Sequence, residues 1–85
     1  MARVVCVYRE RTDYAQEVED WLESFYRVTG RKIEVLNPDI DISFCEAYDV
    51  VEYPTILALD DNGSILSSWK GRTLPLIDEV NYYAI

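Results

Sequence analysis

Apolar residues run almost unbroken through "ARVVCVY", positions 2–8, and stop at Arg9. A continuous β-branched run of this length predicts a strand covered on both faces, hence a central one in a parallel or mixed sheet. From Asp13 the period changes. Ala15, Val18, Leu22 and Phe25 recur at helical spacing, Trp21 widens the stripe, and Glu17, Glu19, Asp20, Glu23 and Arg27 fall largely on the opposite side. Thr12 or Asp13 is expected to cap this helix, a contribution of roughly 1 kcal/mol. Gly30 is expected to end it in the left-handed conformation, with Arg27 near the negative end of the dipole.

"RKIEVLN" reads as a second strand closed by Pro38. A strand, helix and strand joined by short links close as a right-handed crossover, so the two strands should be parallel neighbours. "SFCE" has the form of a capping box, Ser43 reaching forward and Glu46 back, and predicts a short helix through Tyr48. "PTILALD" and "ILSSWK" flank "DNGS", an Asn-Gly hairpin signal, and should pair antiparallel. After Gly71, Thr73 is expected to cap a last helix with Pro75 in its first turn and an apolar face of Leu76, Ile77, Val80 and Tyr83 or Ala84. No repeat, linker or low-complexity segment interrupts the chain.

The 85 residues make a single domain, 1–85, able to bury about 60% of the surface its unfolded chain exposes. Hydrophobic residues are 49% of the chain, but no apolar run approaches the roughly 20 residues that cross a bilayer. The opening "MARVVCVYRE" lacks the charged, apolar and small-residue regions of a cleavable signal, and a cytoplasmic protein is expected. A net charge of −8 argues against a nucleic-acid backbone as partner and serves solubility; a basic protein would be steered inward.

Two cysteines, Cys6 and Cys45, without C-x-x-C or C-x-x-H spacing, read as buried thiols rather than as a metal site or a disulfide framework. No cofactor is implied.

The order β-α-β-(α)-β-β-α, with Pro54 opening the third strand in "YDVVEYPTILALDDNG", resembles the thioredoxin-like superfamily over nearly the whole chain, trimmed to the compact core that glutaredoxins also have. Gly63 and Gly71 keep the family's spacing, with the hairpin one residue longer. The resemblance implies an α/β fold with a four-stranded mixed sheet flanked by helices, and a cis-proline at Pro54. It also places the C-x-x-C positions of an oxidoreductase at Thr12 and Ala15, and the family's buried Asp at Cys6. Neither elbow position holds sulfur. Thiol exchange needs a thiolate, which a helix N-terminus stabilises, and a Thr hydroxyl without any His in the chain to deprotonate it is no substitute.

What the resemblance leaves is a groove in which the residue before the proline, Tyr53, offers its backbone to an extended segment, with Thr12, Tyr14, Pro54 and Arg72 around it. Tyr gives contact area and a polar end at small entropic cost, and Arg72 is suited to an acidic group on a ligand. The expected function is a redox-inactive module that binds a protein or peptide, neither nucleic acid nor membrane, as a monomer or a weak homodimer through Trp69 or the Tyr82–Tyr83 pair. The alternative is a thiol-disulfide oxidoreductase or redox sensor acting through Cys45 or Cys6. Cys45 falls near the first turn of the short helix, which favours the thiolate, while Glu46 opposes it. Glutathione binding is weaker still, because Arg72 and Thr73 stand where glutaredoxins carry an acidic pair.

Overall fold

A computed structural model describes residues 3–84. Its elements follow in the order β1 (Arg3–Val7), α1 (Ala15–Thr29), β2 (Glu34–Leu36), α2 (Ile42–Ala47), β3 (Thr55–Leu59), β4 (Ile65–Lys70) and α3 (Ile77–Ala84). Ala2, expected in the first strand, lies outside the described residues. The four strands form one mixed sheet in the order β2-β1-β3-β4. β1 runs parallel to β2 and antiparallel to β3, and β3 pairs antiparallel with β4. β1 is therefore interior, as its unbroken apolar run requires.

Strand alternation divides the core into two halves. Val4, Cys6 and Tyr8, with Ile56 and Ala58, face α1 and α3 and pack with Ala15, Val18, Phe25 and Val80. Val5 and Val7, with Leu57 and Leu59, face the other way onto Cys45 and Val50. Cys6 and Cys45 thus lie on opposite faces of the sheet. Burial of both faces is what makes β1 and β3 apolar at successive positions instead of alternate ones.

The helix ends depart from several expectations. Neither Thr12 nor Asp13 caps α1: the helix begins at Ala15, with Tyr14 as N-cap and no side-chain capping bond. The Thr12 hydroxyl donates backward to the Arg9 carbonyl at 2.9 Å and so shapes the elbow rather than the helix. Gly30 closes α1 as expected, at φ 74° with its N–H donating to the Tyr26 carbonyl at 2.8 Å.

No capping box forms at α2. The helix starts at Ile42, which puts Ser43 inside its first turn, and the Asp41 carboxylate accepts the Asn37 N–H at 3.0 Å instead. Its other end is a Schellman closure. The Val50 N–H donates to the Cys45 carbonyl at 2.8 Å and the Asp49 N–H to the Glu46 carbonyl at 3.3 Å, with Asp49 left-handed at φ 54°. Cys45 and Val50 share a core cluster, which supplies the apolar contact typical of that motif.

α3 begins at Ile77, later than its pattern suggested, so Thr73 does not cap it and Pro75 lies outside its first turn. The Trp21 indole N–H donates to the Pro75 carbonyl at 2.9 Å and ties the preceding link to α1. Leu76, expected on the apolar face, is 70% exposed, whereas Val80 is fully buried.

The hairpin spans a loop from Asp60 to Ser64. The Asp60 carboxylate accepts the N–H groups of Asn62 and Ser64, both at 2.9 Å, and Gly63 takes the positive φ of 84°. A register shift at Ala58/Leu59 absorbs the extra residue as a bulge.

Candidate functional site

The ends of β1 and β3 open onto three loops that meet at one end of the sheet, and all five residues expected at the groove lie in them. The first is the elbow between β1 and α1. There Arg9 carries the connections: its N–H donates to the Tyr14 hydroxyl at 3.4 Å and its carbonyl accepts Thr12. Its guanidinium sits 5.0 Å from the centre of the Tyr53 ring and pairs with Asp39 at 3.2 Å. Arg11, at the tip of the elbow, is left-handed at φ 59°, a conformation that non-glycine residues adopt at a cost of about 1 kcal/mol or more.

The second loop, Val50 to Thr55, contains the cis Tyr53–Pro54 bond. It is pinned at both sides: the buried Thr55 hydroxyl donates to the Glu52 carbonyl, and the Tyr53 hydroxyl donates to the Val50 carbonyl at 3.3 Å. Among the described residues, neither the N–H nor the carbonyl of Tyr53 hydrogen-bonds within the chain. Pro54 is buried, and its carbonyl accepts the Gly71 N–H at 2.9 Å, which brings in the third loop. Gly71 takes φ 92°, a turn that a side chain would strain.

From that loop Arg72 reaches back to Asp13 and Glu17, each at 3.4 Å. Arg72 thus pairs with Glu17 in the first turn of α1 and with Asp13 just before it, where the sequence suggested an acidic group of a ligand. These pairs are solvent-exposed and worth at most about 1 kcal/mol each.

The elbow brings no thiol to the groove. Thr12 is half-buried and Ala15 is buried at the start of α1. Cys6 is fully buried in the middle of β1, and desolvation pushes its pKa up to about 12. Cys45 lies in α2, nearly buried, its pKa raised first by desolvation and then by Asp41, against a smaller opposing effect of Arg9. Tyr8, where β1 enters the elbow, also has its pKa raised to about 12, by desolvation first and then by Glu19 and Glu10. Each of these three groups is thus held toward its protonated, neutral form.

A cavity of about 360 Å³ opens on the α2 side of Tyr53, lined by Pro38, Ile42, Cys45, Glu46, Asp49, Val50, Val51 and Tyr53. Of the five expected residues it takes in Tyr53 alone. Sequence reasoning missed Arg9, which organises the elbow, and Ile42 and Val51, which give the cavity its exposed apolar wall. The available signal was two large aliphatic residues, each next to one acidic position, Ile42 after Asp41 at the start of the short helix and Val51 before Glu52 beyond its end.

Solved structures share the fold of this chain. A mutant thioredoxin from Halobacterium salinarum NRC-1 superposes with a TM-score of 0.79 at 20% identity, covering 96% of this chain and 74% of that one. The fold is thioredoxin-like. Deadhead, the germline-specific thioredoxin of Drosophila melanogaster, matches at TM-score 0.69 and 24% identity over 95% of this chain and 75% of its own. A malarial protein matches at 0.74 and 16% over 100% and 99% respectively. No protein-family model matches the chain, and no curated protein does. The element order, the closing helix and the third strand that follows Pro54, all expected from the sequence, belong to this thioredoxin-like architecture. Among the described residues no helix is long and apolar enough to cross a membrane.

Proposed function

We propose that this chain is a redox-inactive thioredoxin-like module that holds a segment of a partner protein in the groove beside Tyr53 and Pro54. The observation that carries the reading is the disposition of sulfur. The elbow holds a hydroxyl and a methyl group at Thr12 and Ala15, and the two thiols lie in core clusters on opposite faces of the sheet. Dithiol exchange needs two sulfurs within bonding reach and one of them as thiolate; here both are raised in pKa and separated by the sheet.

What supports binding is the exposed end of the proline loop. The Tyr53 N–H and carbonyl are free to pair with an extended segment, as in strand addition. The loop is held rigid by Thr55, by Gly71 and by Arg9 stacked on the Tyr53 ring, which lowers the ordering cost of binding.

One observation favours the alternative, a thiol enzyme or redox sensor: Cys45 lines the same cavity as Tyr53. The two readings part on a single pair of variants. Capture of partner proteins should survive Cys6→Ala with Cys45→Ala and should fall with Tyr53→Ala; the reverse pattern would assign the function to the thiol.

A further inference from the structure

The cavity beside Tyr53 has a charge character as well as an apolar floor. Resting on the groove reading above, we infer that the segment it accepts is cationic, an extended peptide with an aliphatic side chain seated in the cavity and Lys or Arg residues on either side of it. The apolar part combines exposed and buried side chains: Val51 is 76% exposed and Ile42 55%, and both line the cavity together with the buried Val50 and Cys45. Leaving two large aliphatic side chains in water beside a concave site is the arrangement of a contact surface.

The rim decides the partner's charge. Glu46 and Asp49 both line the cavity, and among the described residues neither carboxylate takes part in an ion pair or hydrogen bond. Asp41 and Asp39 stand nearby, the first accepting the Asn37 N–H and the second paired with Arg9. Arg9, whose charge acts on Cys45 in the cavity, is already taken up by Asp39 and the Tyr53 ring. An acidic segment would meet two uncompensated carboxylates; a basic one would complement them and be steered in by a chain of net charge −8.

The Schellman closure of α2 fixes this arrangement, because the left-handed Asp49 turns the chain so that Glu46, Asp49 and Val51 border one cavity. Each exposed ion pair contributes a factor of roughly 1.5 to 5 in affinity, so two give roughly 2- to 25-fold. Such a preference is screened by salt.

Fluorescence anisotropy with three labelled peptides tests this, each with the same Val-Leu-Val centre flanked by Lys, by Gln or by Glu. The Lys peptide should bind tightest and the Glu peptide weakest. In Glu46→Gln with Asp49→Asn the Lys and Gln peptides should converge, Asn being at home in the left-handed position. In Ile42→Ser with Val51→Ser all binding should drop about tenfold or more. Equal affinities of the Lys and Gln peptides in the wild type, still lost in the Ser variant, would overturn the cationic assignment and leave the groove reading intact. Lys-peptide binding indifferent to both double variants would overturn it too, as unspecific attraction to an acidic chain. Absence of binding by every peptide would bring down the groove reading with it. Circular dichroism melts of each variant establish that the loss is not unfolding.

Discussion

Removing the two thiols is the natural control for any claim about sulfur chemistry, and the structure determines how it must be done. Cys6 has no exposed surface and packs with Val4, Tyr8, Phe25, Ile56 and Val80 in the core that faces α1 and α3. Serine there is nearly isosteric but places a hydroxyl where the neighbours are hydrocarbon and where the β1 backbone is committed to ladders with β2 and β3. A buried hydroxyl without a partner costs roughly 1–3 kcal/mol. Alanine removes the sulfur and leaves a small void, a cost of about 1 kcal/mol.

A domain of this length has a stability of about 4–13 kcal/mol, and each kcal/mol moves the midpoint by roughly 4–8 °C. Cys6→Ala should therefore lower Tm by roughly 4–8 °C and Cys6→Ser by more than that, within roughly 4–24 °C, read by circular dichroism. At Cys45, at the edge of the cavity, the serine and alanine variants should differ by less, since water reaches the hydroxyl more readily. Bimane labelling of the native protein gives a parallel measure. Cys45 should react slowly, its thiolate disfavoured by burial and Asp41, and Cys6 only on unfolding. A Cys6→Ser variant as stable as Cys6→Ala, or rapid labelling of native Cys6, would refute the placement of that thiol in the core.

Other consequences are smaller but specific. Arg3 holds Glu34 with two hydrogen bonds, at 2.6 and 2.8 Å, which lowers the Glu34 pKa. Stability from this pair is fully present above the pKa Glu34 has when unfolded and is lost as pH falls through its lower folded value. Both groups are about half exposed, so Glu34→Gln should cost roughly 0.2–1 kcal/mol at pH 7 and nothing once the carboxylate is protonated, measured by urea melts along a pH series. Gly63→Ala should destabilise by about 1–2 kcal/mol, because φ is 84° and an added Cβ would lie 3.0 Å from the Tyr48 hydroxyl that donates to the Gly63 carbonyl. Asp49→Gly should raise stability by up to about 1 kcal/mol by relieving its left-handed conformation. Arg72→Ala should cost at most about 2 kcal/mol of stability, read by urea melts, so a loss of partner binding by the still-folded variant would mean direct contact with the partner.

The fold was legible where one physical requirement controlled many residues. The unbroken run at Val4–Val7 could only be a strand covered on both sides, and the helical stripe from Ala15 to Phe25 ended at a glycine that the backbone needed. Helix starts were harder to read, since a capping side chain is identified by type while several uses compete for it. Thr12 turned to the Arg9 carbonyl and Asp41 to the Asn37 N–H, and Leu76 was left outside a helix whose preceding link is held by Trp21.

At the site, the five expected residues were brought to one end of the sheet because they sit in loops that the strand order forces together. The central part played by Arg9 was not legible, for its partners Asp39 and Tyr53 are remote in sequence and meet only through the fold. Ile42 and Val51 were hidden for the opposite reason. In a sequence they look like core residues, and only their exposure beside a cavity marks them as a surface for something else.

The account rests on the claim that this thioredoxin-like chain works by contact and not by exchange of disulfides. Turbidity of insulin in dithiothreitol measures that most directly. Addition of the purified protein should leave the rate of precipitation at that of dithiothreitol alone, for the wild type and for Cys45→Ala alike. Acceleration by the wild type that disappears in Cys45→Ala would contradict it.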